Sequence, residues 1–242
     1  MLIAGIILLV LAGLAALVAY GAGGALKMLA STKTVACNAV VAGEACEVVG
    51  GAQPIDGKPL KGPASGRDCV WFKLKVTQHW TSWVSSTSGG YNSHDSKVVE
   101  DKQSDEPFAI RDASGQVFVN PKEADVDTPV GSHTERRDVN DFLGGGGALE
   151  VLVSGLDRRT DEEIEVEEWI LPVGEELLVR GKPTKADIGL TMLKPDDGEF
   201  LVSTHSEHEL VESAKRDKAF GNVFAAVAGV AGVALIVADA LS

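Results

Sequence analysis

The strongest constraint on this chain is an uncharged apolar run close to its C-terminus. Residues 219–238 are AFGNVFAAVAGVAGVALIVA, and Asn222 is their only strongly polar side chain. As an α-helix, twenty residues extend about 30 Å, the thickness of the hydrocarbon core of a bilayer. A buried core helix is the alternative, but soluble helices of this length usually carry a polar face, and this run has none. The run therefore predicts a membrane-spanning helix within residues 219–241.

A second apolar run opens the chain. Residues 2–20 are uncharged, and the first charged side chain is that of Lys27. A cleaved signal peptide is the alternative, but signal peptides begin with basic residues and have a shorter apolar core. Tyr20 lies where an interfacial aromatic residue anchors a spanning helix. We therefore expect an uncleaved first membrane-spanning helix within residues 1–26.

The segment between the two runs is acidic. The chain has 35 Asp and Glu residues against 22 Lys and Arg residues, which gives a net charge of −13. Such a surface argues against sequence-independent binding to nucleic acid, which needs a basic field. Roughly 190 residues lie between the runs, enough for one domain with its own core.

The central segment alternates short apolar runs with turns. Residues 69–84 show the clearest alternation and predict a half-buried strand. Residues 108–120 predict a hairpin in which Gly115 adopts a positive φ. Further strands are expected at residues 40–49, 176–181, 188–193 and 200–203. This series is typical of a mainly β (α+β) fold, a small antiparallel β barrel or sandwich at residues 34–205, flanked by the two transmembrane helices.

Polar stretches separate these strands. Residues 50–68 are dense in glycine and proline, and residues 131–147 end in four consecutive glycines, so both predict loops. Residues 85–103 are either a loop or a long hairpin tip. Residues 160–169 are either a short helix or an edge strand.

The last helix has a recognisable start. Ser206 and Glu209 have the S-x-x-E spacing of a capping box, in which each side chain satisfies a free backbone N–H. No proline interrupts the chain from there to Leu241. A juxtamembrane helix at residues 206–218 is therefore expected to continue into the spanning helix.

Two groups of side chains suggest catalysis or metal binding. His205 and His208 lie in the sequence HSEHE, which matches no zinc-protease spacing and supplies no third ligand. The glutamate-rich residues 162–168 are typical of a solvated face. We therefore predict no catalytic residue, no metal site and no cofactor.

The three cysteines are too few for a disulfide scaffold. Cys69 has no nearby base or cluster of cations and is expected to be a buried thiol. Cys46 and Cys69 both sit where a loop meets a strand, so we expect them close together on neighbouring strands. Whether they bond depends on the redox compartment.

Four segments, taken in order with the two apolar runs, resemble a known family. They are GRDCVWFKLKV (66–76), FAIRDASGQVFVNPKEADVD (108–127), VEEWILPVGEELLVRGKP (166–183) and LKPDDGEFLVSTHSEHELVE (193–212). The set resembles the GIDE, or "beside a membrane", domain of Mulan-type mitochondrial ubiquitin ligases and their prokaryotic relatives. The resemblance extends from about residue 42 to the C-terminus. It implies an anchored sensing or scaffolding domain.

The sequence departs from the ligases of that family in one respect. Those ligases place a RING after the second helix, with Cys and His ligands for two zinc ions. These 242 residues contain three Cys and five His, with no C-x-x-C spacing. The sequence therefore predicts a RING-less form, and ubiquitin transferase activity is not supported.

We expect a two-pass membrane protein whose β-rich domain is a binding or scaffold module for an unidentified protein or lipid partner. One alternative is a cryptic ligase-like or metal-dependent enzyme that uses His205 and His208. Another is a subunit of a larger membrane complex or an oligomer, whose helices associate through the small-residue pairs Ala225/Gly229 and Ala228/Gly232. Composition alone also accounts for these pairs, because alanine and glycine fill the helix.

The orientation of the domain is set by two opposing arguments. All five basic residues that flank the apolar runs lie on the domain side: Lys27, Lys33, Lys215, Arg216 and Lys218. The positive-inside rule then predicts a cytoplasmic domain. The resemblance implies the opposite, because mitochondrial members place this domain in the intermembrane space. We follow the basic residues, which belong to this chain.

Overall fold

The structure is a computed structural model, and it describes residues 2–86, 89–127, 133–138, 140, 142, 162–196 and 198–241. They fall into two compact units. One unit is Thr34–Thr204, and it is built from strands. The other contains the two long helices that precede and follow it in the chain.

The strands of the first unit form a barrel and a second sheet. Within the described residues they are β1 (Cys46–Pro54), β2 (Leu60–Lys61), β3 (Asp68–Ser86), β4 (Gly89–Gln103), β5 (Phe108–Arg111), β6 (Gln116–Val119), β7 (Asp125–Asp127), β8 (His133–Asp138), β9 (Glu162–Pro172), β10 (Glu176–Ala186), β11 (Gly189–Leu193) and β12 (Leu201–Ser203). The two helices are α1 (Leu2–Ser31) and α2 (Glu207–Leu241).

Five strands close into a barrel in the order β1, β5, β6, β11, β10 and back to β1. β12 pairs with β10, and β7 extends the sheet from β12. The predicted mainly β fold with a small barrel and two flanking helices is confirmed. Most pairs are antiparallel; β6–β11 in the barrel and β7–β12 in its extension are parallel. The two strands of each parallel pair are far apart in the chain. A short hairpin, which would force antiparallel pairing, therefore does not connect them.

The barrel turns a corner within β10. Residues 176–181 of this strand pair with β1, and residues 182–186 pair with β11. The change of partner occurs at Gly181, where a Cβ atom would lie 2.8 Å from the Leu193 carbonyl oxygen and 2.9 Å from the Phe200 ring. Glycine is therefore needed for this close approach, as at the corners of other small barrels.

An apolar cluster joins the barrel strands to β3 and β9 of the second sheet. Its largest side chains include Trp71, Phe108, Ile110, Leu171, Leu177 and Met192, which are at most 2% exposed. A second cluster covers one face of the other sheet, where Leu74, Val76, Ile164, Val166 and Phe142 are buried together. Burial of such side chains stabilises a fold by about 1.5–3 kcal/mol each.

The second sheet is organised around β3. β9 pairs with one edge of β3, β2 and β4 pair with the other, and β8 pairs with β9. Residues 85–103 are thus mostly the second strand of a long hairpin. Residues 162–169 belong to a strand with a partner on each side, so neither the helix nor the edge strand expected for 160–169 is correct.

Three other boundaries differ from the sequence-based expectation. β1 begins at Cys46 and continues through two glycines to Pro54, so residues 40–49 misplace it. The predicted loop at 50–68 contains the end of β1 and all of β2. Residues 133–138 form β8 within the predicted loop 131–147, whose four glycines lie outside the described residues. Pairing with distant strands outweighs the local preference of glycine-rich sequence for loops.

A carboxylate closes the β5–β6 hairpin. The Asp112 carboxylate accepts hydrogen bonds from the Ser114 hydroxyl (2.6 Å) and from the backbone N–H groups of Ser114, Gly115 and Cys37 (2.7, 2.9 and 2.9 Å). These bonds, led by the Ser114 hydroxyl and the Cys37 N–H, hold the pKa of Asp112 well below its usual range. The hairpin is confirmed, but Gly115 does not adopt the expected positive φ. The aspartate shapes the turn instead.

The two helices pack against each other through small residues. On α1, Gly5, Ala12 and Ala19 are buried at a spacing of seven residues. A Cβ at Gly5 would lie 2.6 Å from the Ile236 side chain and 2.9 Å from the Gly232 carbonyl oxygen. Both helices are long and apolar enough to cross a membrane. The first helix extends to Ser31, beyond the expected end at residue 26.

Some of the small residues on α2 pack against α1 of the same chain. Ala228 and Gly232 are buried, and a Cβ at Gly229 would contact the Ala12 methyl group at 3.9 Å. Such residues allow close helix packing in membranes. Association with a second chain through these residues stays a prediction.

The start of α2 agrees with the sequence. The Ser206 N–H donates to the Glu209 carboxylate at 2.8 Å, and the Glu209 N–H donates to the Ser206 hydroxyl oxygen at 3.3 Å. This is the predicted capping box. One unbroken helix follows it to Leu241.

A buried ion pair joins two neighbouring barrel strands. Arg180 on β10 lies opposite Glu47 on β1, and its Nη2 donates to the Glu47 carboxylate at 2.7 Å. Their side chains are only 4% and 1% exposed. The Thr34 hydroxyl donates to the other Glu47 carboxylate oxygen at 2.8 Å. A charge buried this deeply depends on its partner.

We expect the Arg180→Met substitution to lower the free energy of unfolding by about 3–5 kcal/mol, because it leaves the Glu47 carboxylate buried without a counter-charge. The measurement is urea unfolding of the full chain in mild detergent, followed by tryptophan fluorescence. The matched control is Lys182→Met on the same strand, whose ion pair with Asp196 is exposed and contributes less than about 1 kcal/mol. Equal losses for the two variants would contradict the prediction.

Candidate functional site

The outer face of the second sheet carries a row of charged and polar side chains. On β9, Ile164 and Val166 point into the core, whereas Glu163, Glu165 and Glu167 alternate with them and are more exposed. This alternation is the two-residue period of a strand. The glutamate-rich stretch is therefore divided between two faces, and two of its outer members, Glu165 and Glu167, have basic partners.

Three side chains on β3, β9 and β8 form a connected cluster on this face. The His79 Nε2 lies 3.0 Å from one Glu165 carboxylate oxygen. The Arg136 Nε and Nη2 donate to the other oxygen at 3.1 and 3.0 Å. Arg136, followed by His79, lowers the pKa of Glu165. Glu165 is 19% exposed, so the guanidinium and imidazole are held in place by a carboxylate that stays ionised.

A groove of about 620 Å³ lies beside this cluster. β3 contributes His79, Trp80 and Thr81 to its wall, and β4 contributes His94. The Thr81 hydroxyl and the His94 Nδ1 are 3.1 Å apart. The remaining walls hold Asp95, Ser96, Arg136, Asp138 and Glu163, so the groove offers hydrogen-bonding groups of both charges.

The groove is suited to binding rather than to nucleophilic attack. Its one hydroxyl–imidazole pair, Thr81 and His94, is exposed to solvent, where neither group is activated by burial. Burial raises the pKa of Cys37 and of Cys69 to about 11, so both thiols stay protonated at neutral pH. Among the described residues, the groove presents hydrogen-bonding groups and charges of both signs.

Glu168 has a different role from the outer glutamates. It is fully buried, and its two carboxylate oxygens accept hydrogen bonds from the backbone N–H groups of Ala64 (2.6 Å) and Ser65 (3.1 Å). A carboxylate that satisfies two buried donors organises the loop between β2 and β3.

His205 and His208 lie at the start of α2, beside the capping box. Within the described part of the chain, no group of three or more His, Cys, Asp or Glu side chains is placed to hold a metal ion. A metal-dependent activity at these two histidines stays a hypothesis, and no third ligand for a metal ion lies beside them among the described residues.

The structure places the two predicted neighbours, Cys46 and Cys69, in different sheets. Cys46 opens β1 and lies opposite Gly181, whereas Cys69 on β3 lies opposite Leu60 and Pro172. Their strands are not hydrogen-bonded to each other, and the closeness of the two side chains stays a prediction. Both are buried free thiols, as is Cys37. A bond between Cys46 and Cys69 would require an oxidising compartment.

Sequence reasoning did not single out His79, Glu165 or Arg136. The alternation of residues 69–84 does place Lys75 and His79 on one face of a strand. The missing information is the register with β9, because Gln78 lies opposite Ile164, 86 positions later in the chain. No local pattern encodes a pairing over that distance.

Comparison with protein families gives one match, to the sequence model described as "GIDE: E3 Ubiquitin ligase", over residues 78–238. The match covers more than half of the chain, including most of the long hairpin, β9 and α2. The chain belongs to the GIDE family. Of the segments that carry the resemblance, residues 66–76 precede the matched range. Comparison with curated proteins gave no match, and comparison with solved structures gave none either.

Thiol counting tests the state of the cysteines in this GIDE-family chain. We expect three reactive thiols per chain after unfolding in denaturant without reductant, and almost none within minutes in the folded protein. At a pKa of about 11, only about one Cys69 side chain in a thousand is a thiolate at pH 8. The measurement is a colorimetric thiol assay. A count of one after unfolding would reveal a disulfide.

Proposed function

We propose that this chain is a membrane-anchored binding module that holds a segment of a partner protein in the groove beside His79 and His94. The observation that carries the proposal is the Arg136–Glu165–His79 cluster, whose short hydrogen bonds fix polar side chains on one wall of an open groove. Fixed polar groups lose little conformational entropy when a ligand binds.

The shape of the sheet favours an extended peptide as the occupant. β4 pairs with β3 alone among the described residues, so its other edge offers backbone N–H and C=O groups. An extended segment can add to such an edge and place alternate side chains towards the groove. His79 and Arg136 suit an acidic side chain, and Asp95, Asp138 and Glu163 suit a basic one.

We infer that the domain binds without transferring ubiquitin. The matched family is described as ubiquitin ligase, and the RING of such ligases needs paired zinc ligands. The cysteines within these 242 residues are Cys37, Cys46 and Cys69, with no C-x-x-C pair. A scaffold role follows, in which the domain presents a bound partner beside the membrane.

We expect a photo-reactive amino acid at His94 to cross-link a partner in native membranes. The same probe at Lys185, which is exposed on the β10–β11 hairpin, is the matched control and should give no adduct of that mass. The measurement is mass spectrometry of the adducts after solubilisation.

The adduct also separates the alternatives. An adduct from His94 that is lost in the Arg136→Ala and Glu165→Gln variants supports binding in the groove. A partner that also co-purifies in fixed stoichiometry with both variants indicates a subunit of a larger complex. Equal adducts from His94 and Lys185, or none from either, would contradict the proposal.

We also propose that the β domain faces the cytoplasm, because Lys27, Lys33, Lys215, Arg216 and Lys218 flank the apolar runs on its side. The buried native thiols allow the use of an introduced cysteine. Lys185→Cys should react with an impermeant maleimide only after cells are opened, and labelling of intact cells would place the domain outside. Ser88, a second position for this test in the polar stretch 85–103, lies outside the described residues.

A further inference from the structure

Among the described residues, the β3–β4 hairpin extends past the part of β3 that pairs with β9. β9 pairs with β3 only as far as Trp80, and from residue 81 to residue 86 the partner of β3 among the described residues is β4 alone. At about 3.3 Å per residue, this two-stranded ribbon is about 20 Å long. A ribbon of two strands is marginally stable in water by itself.

The ribbon exposes aromatic side chains on both of its faces. Trp83 is 67% exposed and Tyr91 is 60% exposed. Trp83 lies opposite Asn92, and Val84 lies opposite Tyr91. Because successive residues alternate faces, Trp83 lies on one face and Val84 with Tyr91 on the other. The Trp83 ring also covers Gly90, where a Cβ atom would collide with it.

The same stretch is free of formal charge in a strongly acidic domain. Residues 80–94 contain no Asp, Glu, Lys or Arg, whereas Thr34–Thr204 contains 30 of the 35 acidic residues and 17 of the 22 basic residues. An anionic headgroup layer repels an acidic surface but not an uncharged tip.

We propose that the tip formed by Trp83, Val84 and Tyr91 inserts into the headgroup layer of a lipid bilayer. A docking site for a folded protein usually buries one face of a sheet, and this tip exposes an aromatic side chain on each of its two faces. A lipid layer surrounds an inserted ribbon on all sides, and Trp and Tyr are the residues enriched at that depth. The chain's own helices are long and apolar enough to keep it in a bilayer.

The tryptophans make the proposal measurable in the full chain. All four lie within Thr34–Thr204, at positions 71, 80, 83 and 169, and neither α1 nor α2 contains one. Spin-labelled phosphatidylcholine quenches only fluorophores that reach the bilayer. In vesicles of this lipid mixed with unlabelled phosphatidylcholine, the native chain should lose up to about a quarter of its emission, because one tryptophan in four reaches the lipid.

Two conservative variants provide the comparison. Trp83→Phe should abolish the quenching, whereas Trp169→Phe, which alters a half-buried residue of the second sheet, should retain it. Circular dichroism checks that both variants fold. Absence of quenching in the native chain, or quenching that persists in Trp83→Phe, would overturn the proposal.

A fluorescent label on an introduced cysteine provides a second test of insertion, and this test leaves all aromatic residues unchanged. Asn92→Cys carrying an environment-sensitive fluorophore should shift to the blue and be quenched by the spin-labelled lipid, whereas the same label at Lys185→Cys should keep its aqueous emission. A blue shift at Asn92 without quenching by lipid would mean that protein covers the tip, and this would also overturn the proposal.

Discussion

The pairing of β3 with β9 is the interaction on which the second sheet depends. It joins Cys69–Trp80 to a strand that begins at Glu162, and it brings Lys75 opposite Glu167 and Thr77 opposite Glu165. The Lys75 Nζ donates to Glu167 at 2.9 Å, while Leu74 and Val76 enter the apolar cluster on the other face. A shift of one residue would turn the glutamates inward and the core residues outward. Register therefore determines both the core and the polar outer face.

Buried and hydrogen-bonded carboxylates explain part of the acidic composition. Glu47 on β1 binds Arg180 on β10, Glu168 binds the loop between β2 and β3, and Asp112 holds Cys37 to the β5–β6 hairpin. Each of them joins segments that are distant in the chain, by 133, 104 and 75 positions. A buried carboxylate accepts several N–H donors that would otherwise be unsatisfied. These acids hold the fold together, and the exposed remainder sets the charge of the surface.

Local sequence was sufficient where local physics determines the structure. The apolar runs predicted both helices, the S-x-x-E spacing predicted the cap at Ser206, and alternation predicted β3. Prediction from local sequence failed where pairing between strands that are distant in the chain determines the structure. Gly50 and Gly51 sit inside β1 because β10 and β5 pair with them, and residues 133–138 form a strand because β9 lies beside them. The expected positive φ at Gly115 failed because Asp112 supplied the turn by other bonds. The His79 cluster combines residues from three strands, so no single stretch of sequence predicts it.

The groove and the tip lie on one hairpin but differ in chemistry. Thr81 lines the polar groove, and Trp83, two residues further along the same face of β3, belongs to the uncharged tip. On the groove side, Glu165 of β9 holds His79 and Arg136 in place, whereas from residue 81 to residue 86 the described partner of β3 is β4 alone. A polar groove needs fixed charges, and an insertable tip must lack them. The two chemistries therefore follow one another along a single pair of strands. Because both surfaces use β3 and β4, an occupant of either one restrains the strands that form the other.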